Sequence, residues 1–312
     1  MRIEYHRTLV ADAPRNEAFY KALKTTIVPG KSIVADIGCG TGLLGFMAAK
    51  LGAKRVFLLE AGEIVSVARK LARHNGLKNI EIVPAHSTEV TPPEKVDIVV
   101  SETLGNYALE ENIIDTLNDA KTRYLKPGGI MIPDQIVQYV APVTTSRFWD
   151  ELTVWKNVGF DLDFAPAQTT SLNNIYVRKI AARDTLNNGQ SAEAWDRIDL
   201  TAKPSSNRQG TARWTATAAT KIFGLSLWWD ARLNGNHNLS TAPSAKMTHW
   251  EQLYLPVEEP MELQRGETLD AKLKSKSSYE RGTDVAWTLS ILTGSGKVKA
   301  TQTMDLKRGY IA

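Results

Sequence analysis

The sequence has a single cysteine, Cys39, among its 312 residues. One thiol excludes an internal disulfide and any metal site built from several cysteines of this chain, and it fits a reducing compartment. Long apolar runs are also missing, since no stretch approaches the roughly 18 residues that cross a membrane. Charged residues interrupt the N-terminus, where a signal peptide would need an apolar core. The pattern predicts a cytoplasmic protein without a membrane partner.

Dense clusters of basic residues are missing as well. The 38 Lys and Arg residues exceed the 34 Asp and Glu residues by only four, and they are dispersed along the chain. Because nucleic-acid binding usually needs a concentrated basic surface, no direct nucleic-acid partner is expected. No metal site is predicted. What is present is an ordinary globular composition, 43% hydrophobic and 23% charged, in a chain long enough for two packed cores.

The N-terminal part alternates short apolar runs with amphipathic stretches. The apolar runs read as strands and the amphipathic stretches as helices, which is the pattern of a doubly wound, Rossmann-like α/β domain. We assign this domain to residues 1–133. The predicted strands are 33–37, 55–60, 80–84 and 96–101, and the predicted helices are 43–51, 64–75 and 112–124.

Beyond residue 133 the pattern changes to short alternating segments. Examples are 135–140, 222–229 and 285–292, separated by clusters of Gly, Asn, Ser and Pro. This spacing predicts an antiparallel β-sandwich or barrel over residues 134–312. A polar stretch at about 164–195 fits neither pattern, and we interpret it as an inserted arm or long loop.

A glycine-rich turn, residues 38–42 (the glycine loop), closes the first predicted strand. Glycines such as Gly38 and Gly40 allow the backbone to turn tightly and to approach a ligand closely. Asp36 precedes the loop, where a carboxylate suits the ammonium group of a methionine moiety and repels a pyrophosphate. Glu60 ends the next strand, where it suits the two hydroxyls of a ribose. Asp36 as a turn cap and Glu60 as a solvated strand end are the alternatives, but the pair favours S-adenosylmethionine as cofactor.

The loop after the third predicted strand, residues 86–89, is where an adenine ring is expected. It carries the polar side chains Ser87 and Thr88. Both are candidate cofactor-binding residues, although the sequence does not distinguish which side chain makes the contact.

Two carboxylates, Glu102 and Glu111, bound the loop that follows the fourth predicted strand (residues 102–111, the acidic loop). In open α/β sheets the reacting ligand lies beyond the carboxyl ends of the strands. A guanidinium is planar and permanently charged, and carboxylates are its natural bidentate partners. Glu110 and Glu111 also suit the N-terminus of the following helix through its dipole. We accept that interpretation for Glu110 alone.

Several separated motifs together resemble the protein arginine N-methyltransferase family over nearly the whole chain. Glu102 and Glu111 have the spacing of that family's double-glutamate loop, and Thr248-His249-Trp250 looks like its Thr-His-Trp loop. The other matching residues are His6, Leu9, Val10, Asp12 and Arg15 near the N-terminus, and the cofactor motifs at Asp36, Gly38, Gly40 and Glu60.

The resemblance implies a fold, a set of contacts and a partner. It implies an S-adenosylmethionine-binding domain, an antiparallel β-barrel, and a dimerisation arm inserted at about 164–195, in a head-to-tail homodimer. His6 and Arg15 are expected on the methionine carboxylate of the cofactor. The Thr-His-Trp loop is expected to reach back to the active site, with His249 and Asp12 in catalysis and Trp250 in substrate binding.

The function expected from this resemblance is N-methylation of arginine in a protein or peptide, with S-adenosylhomocysteine as the other product. Glu102 and Glu111 would clamp the guanidinium. His249, oriented by Asp12, is a candidate proton relay, although Glu111 itself could accept the proton, and the His249–Asp12 pair could equally be a structural bridge between domains.

Two other functions stay open at this point. Family members commonly have Trp-Met-Gly-Tyr in the acidic loop, and here the loop reads Thr103-Leu104-Gly105-Asn106. The polar Thr103 and Asn106 suit free arginine or another small guanidino metabolite. The remaining alternative is a catalytically inactive dimeric scaffold.

Overall fold

The N-terminal domain is built on a parallel five-stranded sheet. The computed structural model describes residues 3–280 and 282–309. The strands of this sheet are β1 (Ile33–Ile37), β2 (Arg55–Leu59), β3 (Ile80–Val83), β4 (Val96–Ser101) and β5 (Leu125–Ile132). They pair in the order β3-β2-β1-β4-β5, so the strand order reverses between β1 and β4. The predicted Rossmann-like class is confirmed, and the reversal point is where such sheets bind ligands.

Helices flank this sheet. They are α1 (Ile3–Ala11), α2 (Ala13–Thr26), α3 (Leu43–Lys50), α4 (Val65–His74) and α5 (Ile113–Arg123). Every residue of β1 is buried, which explains why that strand, apart from Asp36, reads as an apolar run rather than an alternating one.

The C-terminal domain consists of two antiparallel sheets, as the alternating segments predict. Its strands are β6 (Gln135–Val143), β7 (Tyr176–Arg178), β8 (Glu193–Asp199), β9 (Asn207–Thr215), β10 (Thr220–Asn234), β11 (His237–Ser240), β12 (Gln252–Leu263), β13 (Thr268–Ser278), β14 (Gly282–Leu292) and β15 (Val298–Asp305). One sheet has the order β7-β12-β10-β6-β8, with β11 on β10, and the other has the order β15-β14-β13-β9.

Large aromatic side chains fill the core of this domain. Trp229 on β10 and Trp287 on β14 are fully buried, and the Trp287 indole donates to the carbonyl of Pro256 at 2.8 Å. Where β8 passes β9, a Cβ atom on Gly210 would lie 1.8 Å from the carbonyl oxygen of Trp195. Only glycine permits that approach. In the described part of the chain, no helix has the length and apolarity needed to cross a membrane.

A helical excursion leaves the C-terminal domain between β6 and β8. It contains α6 (Arg147–Leu152) and α7 (Pro166–Leu172), and the last helix, α8 (Leu306–Gly309), packs against α7. Phe160 and Leu162, between α6 and α7, are 88% and 58% exposed. This excursion overlaps the predicted arm at about 164–195 only in part. The excursion begins earlier than predicted. β7 and the start of β8 fall inside the predicted range but belong to the sheet. The polar residues used for the prediction lie in the turns around these strands and do not delimit the excursion.

Candidate active site

A cavity of about 480 Å³ lies at the carboxyl ends of the parallel strands. Its walls come from seven places in the sequence, namely α1, α2, the glycine loop, the end of β2, the loop after β3, the acidic loop and α5. The predicted site residues among its lining are His6, Arg15, Asp36, Gly38, Gly40, Glu60, Ser87, Glu102 and Glu111. The fold thus brings predicted cofactor-binding residues and the two predicted substrate-binding carboxylates to one cavity.

The glycine loop has a backbone that side chains would disrupt. Gly38, Gly40 and Gly42 have φ angles of +69°, +55° and +89°, a region that glycine alone enters at little cost. A Cβ on Gly38 would also lie 2.8 Å from a methyl carbon of Thr103, and one on Gly40 would lie 3.3 Å from the His6 ring. The loop therefore packs tightly against α1 and the acidic loop.

Asp36 is buried behind the glycine loop. Its Oδ2 accepts a hydrogen bond from the Gly45 amide at 2.8 Å, which caps the first turn of α3. Burial is the main cause that raises the pKa of Asp36 to about 7. The Gly45 hydrogen bond and Arg15 oppose this increase, and the Glu60 and Glu102 carboxylates add to it. The contacts observed are those of the capping interpretation, while the carboxyl still reaches the cavity wall.

Glu60 links the end of β2 to the glycine loop. Its Oε2 accepts from the Gly40 amide at 2.9 Å, and its Oε1 accepts from the Gly62 amide at 2.6 Å. The carboxylate lines the cavity. A carboxylate has further lone pairs beyond these two bonds, so hydroxyl donors of a ligand have acceptors here.

The N-terminal helices contribute a histidine and an arginine to the cavity. His6 on α1 is 6% exposed, and its Nε2 has no hydrogen-bond partner among the described residues. Arg15 on α2 donates through Nε to Glu102 Oε2 at 2.7 Å and also through Nη2. The resemblance implies a methionine carboxylate for Arg15, and the structure brings this guanidinium to a glutamate of the acidic loop.

The two predicted clamp residues differ in their surroundings. Glu102 is ion-paired with Arg15, and among the described residues its Oε1 accepts only a long bond of 3.3 Å from the Leu104 amide. Glu111 has no ion-pair partner among the described residues and keeps contact with solvent. Partial burial raises the pKa of Glu111 to about 7, and the negative charges of Glu102, Glu110 and Glu60 contribute to that increase.

Glu110 packs against the acidic loop itself. Its carboxyl oxygen lies 2.0 Å, and its Cβ 2.6 Å, from where a Cβ on Gly105 would stand. Gly105 therefore has no room for a side chain. Glu110 does not line the cavity, and it is one turn before Ile113, the first residue of α5.

Four consecutive residues of the acidic loop are fastened to the C-terminal domain. Trp250 Nε1 donates to the Leu104 carbonyl at 2.7 Å, and Trp229 Nε1 donates to the Gly105 carbonyl at 3.0 Å. The Glu251 amide donates to Asn106 Oδ1 at 2.8 Å. The Tyr107 and Ser275 hydroxyls are 2.6 Å apart. The second domain thus sets the position of the loop.

Three of these contacts change or add to what the sequence predicts. Trp250, expected in substrate binding, is 3% exposed and instead supports the acidic loop through its hydrogen bond to the Leu104 carbonyl. Trp229 and Tyr107 are not among the predicted site residues. A tryptophan in an alternating strand and a tyrosine in a loop carry no signal that identifies a partner more than a hundred residues away.

His249 and Asp12 form a buried pair beside the cavity. His249 Nδ1 lies 2.7 Å from Asp12 Oδ2, and the His249 amide donates to the same oxygen at 2.8 Å. Burial alone would raise the pKa of Asp12, but the hydrogen bonds from His249 and from the Arg15 amide outweigh it and hold that pKa below its usual value. His249 Nε2 is buried without a partner among the described residues.

Thr88 does not belong to the cavity wall. Its hydroxyl lies 2.7 Å from His86 Nδ1, and the neighbouring Ser87 takes the lining position instead. The Ser87 hydroxyl is buried and has no partner in the described structure. Of the two candidates in this loop, Ser87 is the one that the structure brings to the cavity.

A ligand cavity at the reversal point of a Rossmann-like sheet, with a glycine loop and an acidic strand end, is typical of methyltransferases. Two family models match the chain: the arginine methyltransferase oligomerization subdomain over residues 135–292, and ribosomal protein L11 methyltransferase over residues 18–189. The first covers half of the chain and the second overlaps the α/β domain. The chain belongs to the arginine methyltransferase family, which confirms the predicted family and enzyme class.

Individual relatives agree with this assignment. The probable protein arginine N-methyltransferase 6.1 of rice (Oryza sativa) is 26% identical over 318 residues, covering 89% of this chain and 80% of the relative. Protein arginine N-methyltransferase 1 of Dictyostelium discoideum is 28% identical over 272 residues, covering 85% and 79%.

Solved structures have the same fold. A chain from the Trypanosoma brucei PRMT1 enzyme-prozyme heterotetrameric complex with AdoHcy gives a TM-score of 0.87 at 24% identity, covering 98% of both chains. Arabidopsis thaliana protein arginine methyltransferase 10 gives 0.81 at 22% identity, also covering 98% of both. The likeness extends over both domains.

Proposed function

We propose that this protein transfers a methyl group from S-adenosylmethionine to the guanidinium of an arginine in a protein or peptide, and that Glu102 and Glu111 hold that guanidinium. The observation that carries the proposal is the asymmetric carboxylate pair on one cavity wall. The relatives of this chain are named as protein arginine N-methyltransferases, which favours a protein acceptor.

The cavity fits the cofactor. Glu60 offers carboxylate acceptors suited to ribose hydroxyls, and the His6 and Ser87 side chains each present a buried polar atom that has no partner within the described ranges. Buried polar groups normally have hydrogen-bond partners, so such orphan atoms on a cavity wall suit a polar ligand. When bound, S-adenosylmethionine supplies a methyl group activated by a sulfonium.

Glu102 serves as the fixed anchor for the substrate guanidinium. Arg15 occupies its Oε2, while among the described residues Oε1 has only the long contact to the Leu104 amide. The free guanidinium is a permanent cation with a pKa of about 12.5–13.8 and a poor nucleophile. Binding between two carboxylates orients it and favours electron density on the attacking nitrogen, and such orientation is worth roughly 7–11 kcal/mol of the barrier.

Glu111 is the better candidate for proton acceptor. A new N–C bond forms as the C–S bond breaks, and the attacking nitrogen must then lose a proton. Glu102 is ion-paired with Arg15. The Glu111 carboxyl, in contrast, has a pKa of about 7 and no ion-pair partner among the described residues. General bases work best with a pKa near the operating pH. His249 does not line the cavity, so we assign it and Asp12 to holding the Thr-His-Trp loop against α2.

The test is Glu111→Gln, which keeps the shape of the side chain and removes its charge. We expect methyl transfer to a glycine-arginine-rich peptide to be abolished, while calorimetry finds S-adenosylhomocysteine affinity nearly unchanged. The matched control is Glu110→Gln, which should keep turnover because Glu110 does not line the cavity. Wild-type turnover in the Glu111→Gln variant would refute the clamp.

Free arginine remains the second candidate acceptor. Thr103 lines the cavity, as a small zwitterion would require, but Asn106 is engaged by the Glu251 amide. Labelled cofactor offered with free arginine, and separately with the glycine-arginine-rich peptide, distinguishes the two acceptors. An inactive scaffold would label neither.

We also propose that the protein is a homodimer. The family model that matches residues 135–292 describes an oligomerization subdomain, and the exposed Phe160 and Leu162 on the helical excursion offer an apolar contact to a second copy. Burying such side chains favours association. Sedimentation should give twice the mass of the 34.5 kDa chain, and a monomer at all concentrations would contradict the proposal.

A further inference from the structure

Tyr279 connects the C-terminal domain to the far end of the cavity. It lies in the turn between β13 and β14, and its hydroxyl is 2.6 Å from the Thr116 hydroxyl and 3.3 Å from His86 Nε2. The Tyr279 and His86 rings meet edge to face, with their centroids 5.5 Å apart. The Tyr279 side chain is otherwise 57% exposed.

Both partners of Tyr279 are walls of the cavity. Thr116 belongs to α5, and His86 precedes the short turn that carries Ser87, and all three line the cavity. The Ser87 side chain is 2% exposed, and its hydroxyl has no partner among the described residues. Tyr279 thus joins two walls of the cavity beside an unpartnered buried hydroxyl.

The Tyr279 hydroxyl serves two hydrogen-bonding groups with one atom. The Thr88 amide approaches His86 Nδ1 at 3.4 Å and can only donate, so Nδ1 accepts. With Nδ1 accepting, Nε2 carries the ring hydrogen and can donate it to the Tyr279 oxygen. The Tyr279 hydroxyl then has its own hydrogen to donate to Thr116 Oγ1. A hydroxyl accepts and donates at the same atom, which suits both contacts.

Other contacts already dock α5 on the C-terminal domain. Asp115 accepts from the Ser206 hydroxyl at 2.6 Å, and Asn118 donates to the Pro204 carbonyl at 2.9 Å. Tyr279 is therefore not needed to hold the two domains together. What it adds is a link from α5 to the loop after β3.

We propose that Tyr279 is a positioning residue for the adenine end of the cofactor, fixing the separation of the Thr116 and His86 walls so that Ser87 can hydrogen-bond the edge of the purine. This proposal rests on the S-adenosylmethionine site proposed above. A purine is a rigid plane, so its affinity depends on the distance between the walls that enclose it, and Tyr279 acts on that distance without touching the ligand.

The test is Tyr279→Phe, which keeps the edge-to-face ring contact and removes the hydroxyl. We expect S-adenosylhomocysteine to bind about three- to tenfold more weakly by calorimetry, the effect of losing one or two hydrogen bonds. The KM for S-adenosylmethionine should rise by the same factor, while kcat and the KM for the peptide stay unchanged. The control is Tyr20→Phe, whose side chain is exposed on α2 outside the cavity.

A double-mutant cycle with Thr116→Val separates positioning from a general loss of stability. If Tyr279 acts through Thr116, adding Tyr279→Phe to the valine variant should weaken binding much less than it does in the wild type. Fully additive losses, or equal affinity in Tyr279→Phe and the wild type, would overturn the inference and leave the proposed function standing. Absence of S-adenosylhomocysteine binding by the wild type would instead refute the proposed function.

Discussion

The two ends of the acidic loop place the same functional group in opposite environments. The Glu102 side chain is 5% exposed and ion-paired with Arg15. Glu111 reaches solvent, and partial burial, followed by the neighbouring negative charges, raises its pKa to about 7. When neighbouring acids differ in this way, their environments assign them different roles. One carboxylate is fixed in a buried ion pair, and the other can exchange a proton near neutral pH.

Removing the Arg15 cation should have the largest effect on this difference. Arg15→Met leaves Glu102 buried without its partner, and breaking a buried pair in this way costs about 3–5 kcal/mol. We expect the free energy of unfolding measured in urea to fall by that amount, and methyl transfer to be lost because Glu102 then loses the contact that fixes its position. The control is Arg55→Met, because the Arg55–Glu81 pair is about half exposed and such pairs contribute at most about 1 kcal/mol.

If Arg15→Met changed stability no more than Arg55→Met does, the buried ion pair would not be what stabilises Glu102 in its buried position. The contrast between the two ends of the loop would then come from their solvent exposure and from the negative charges around Glu111.

The second-largest effect is expected when the Glu111 end of the acidic loop is displaced without any change of charge. A Cβ on Gly105 would overlap Glu110, so Gly105→Ala must displace the turn that carries Glu110 and Glu111. A displacement of about 1 Å in a positioned group can cost about 100-fold in rate. We expect kcat to fall by that order while S-adenosylhomocysteine affinity is retained.

The control is Gly294→Ala, because the nearest atom to a Cβ there is 3.8 Å away. Equal kcat values for the two alanine variants would mean that the acidic loop tolerates displacement, and that positioning is not its main contribution.

The sequence predicts the scaffold of this site well and its internal supports poorly. Strand ends and tight turns have local signals, such as an apolar run closed by glycines, and so Gly38, Glu60 and the acidic loop could be located from residues alone. The donation from Trp229 to the Gly105 carbonyl joins residues 124 apart, and its direction depends on how the two domains pack. No local pattern encodes that contact.

The same distinction explains Asp36. Its position before the glycine loop marks it as a site residue, but its hydrogen bond to Gly45 depends on where α3 begins relative to β1. Residue type and spacing predict that a carboxylate is near the cofactor cavity. They do not predict which atom it faces.

The smallest effect tests the charge around Glu111 directly. Loss of water contacts is the main cause of its raised pKa, and the charges of Glu102 and Glu110 come next. Because the guanidinium binds the ionised form of Glu111, kcat/KM for the peptide should fall as pH drops below about 7, where free Glu111 takes up a proton.

Glu110→Gln removes one negative neighbour of Glu111, so the Glu111 proton leaves at lower pH and the acid limb of the pH profile should shift down by roughly half a pH unit. Glu262→Gln, on the exposed surface of β12, should leave the limb in place. An unshifted limb in Glu110→Gln would mean that the Glu110 charge does not contribute to the Glu111 pKa or to the difference between the two ends of the loop.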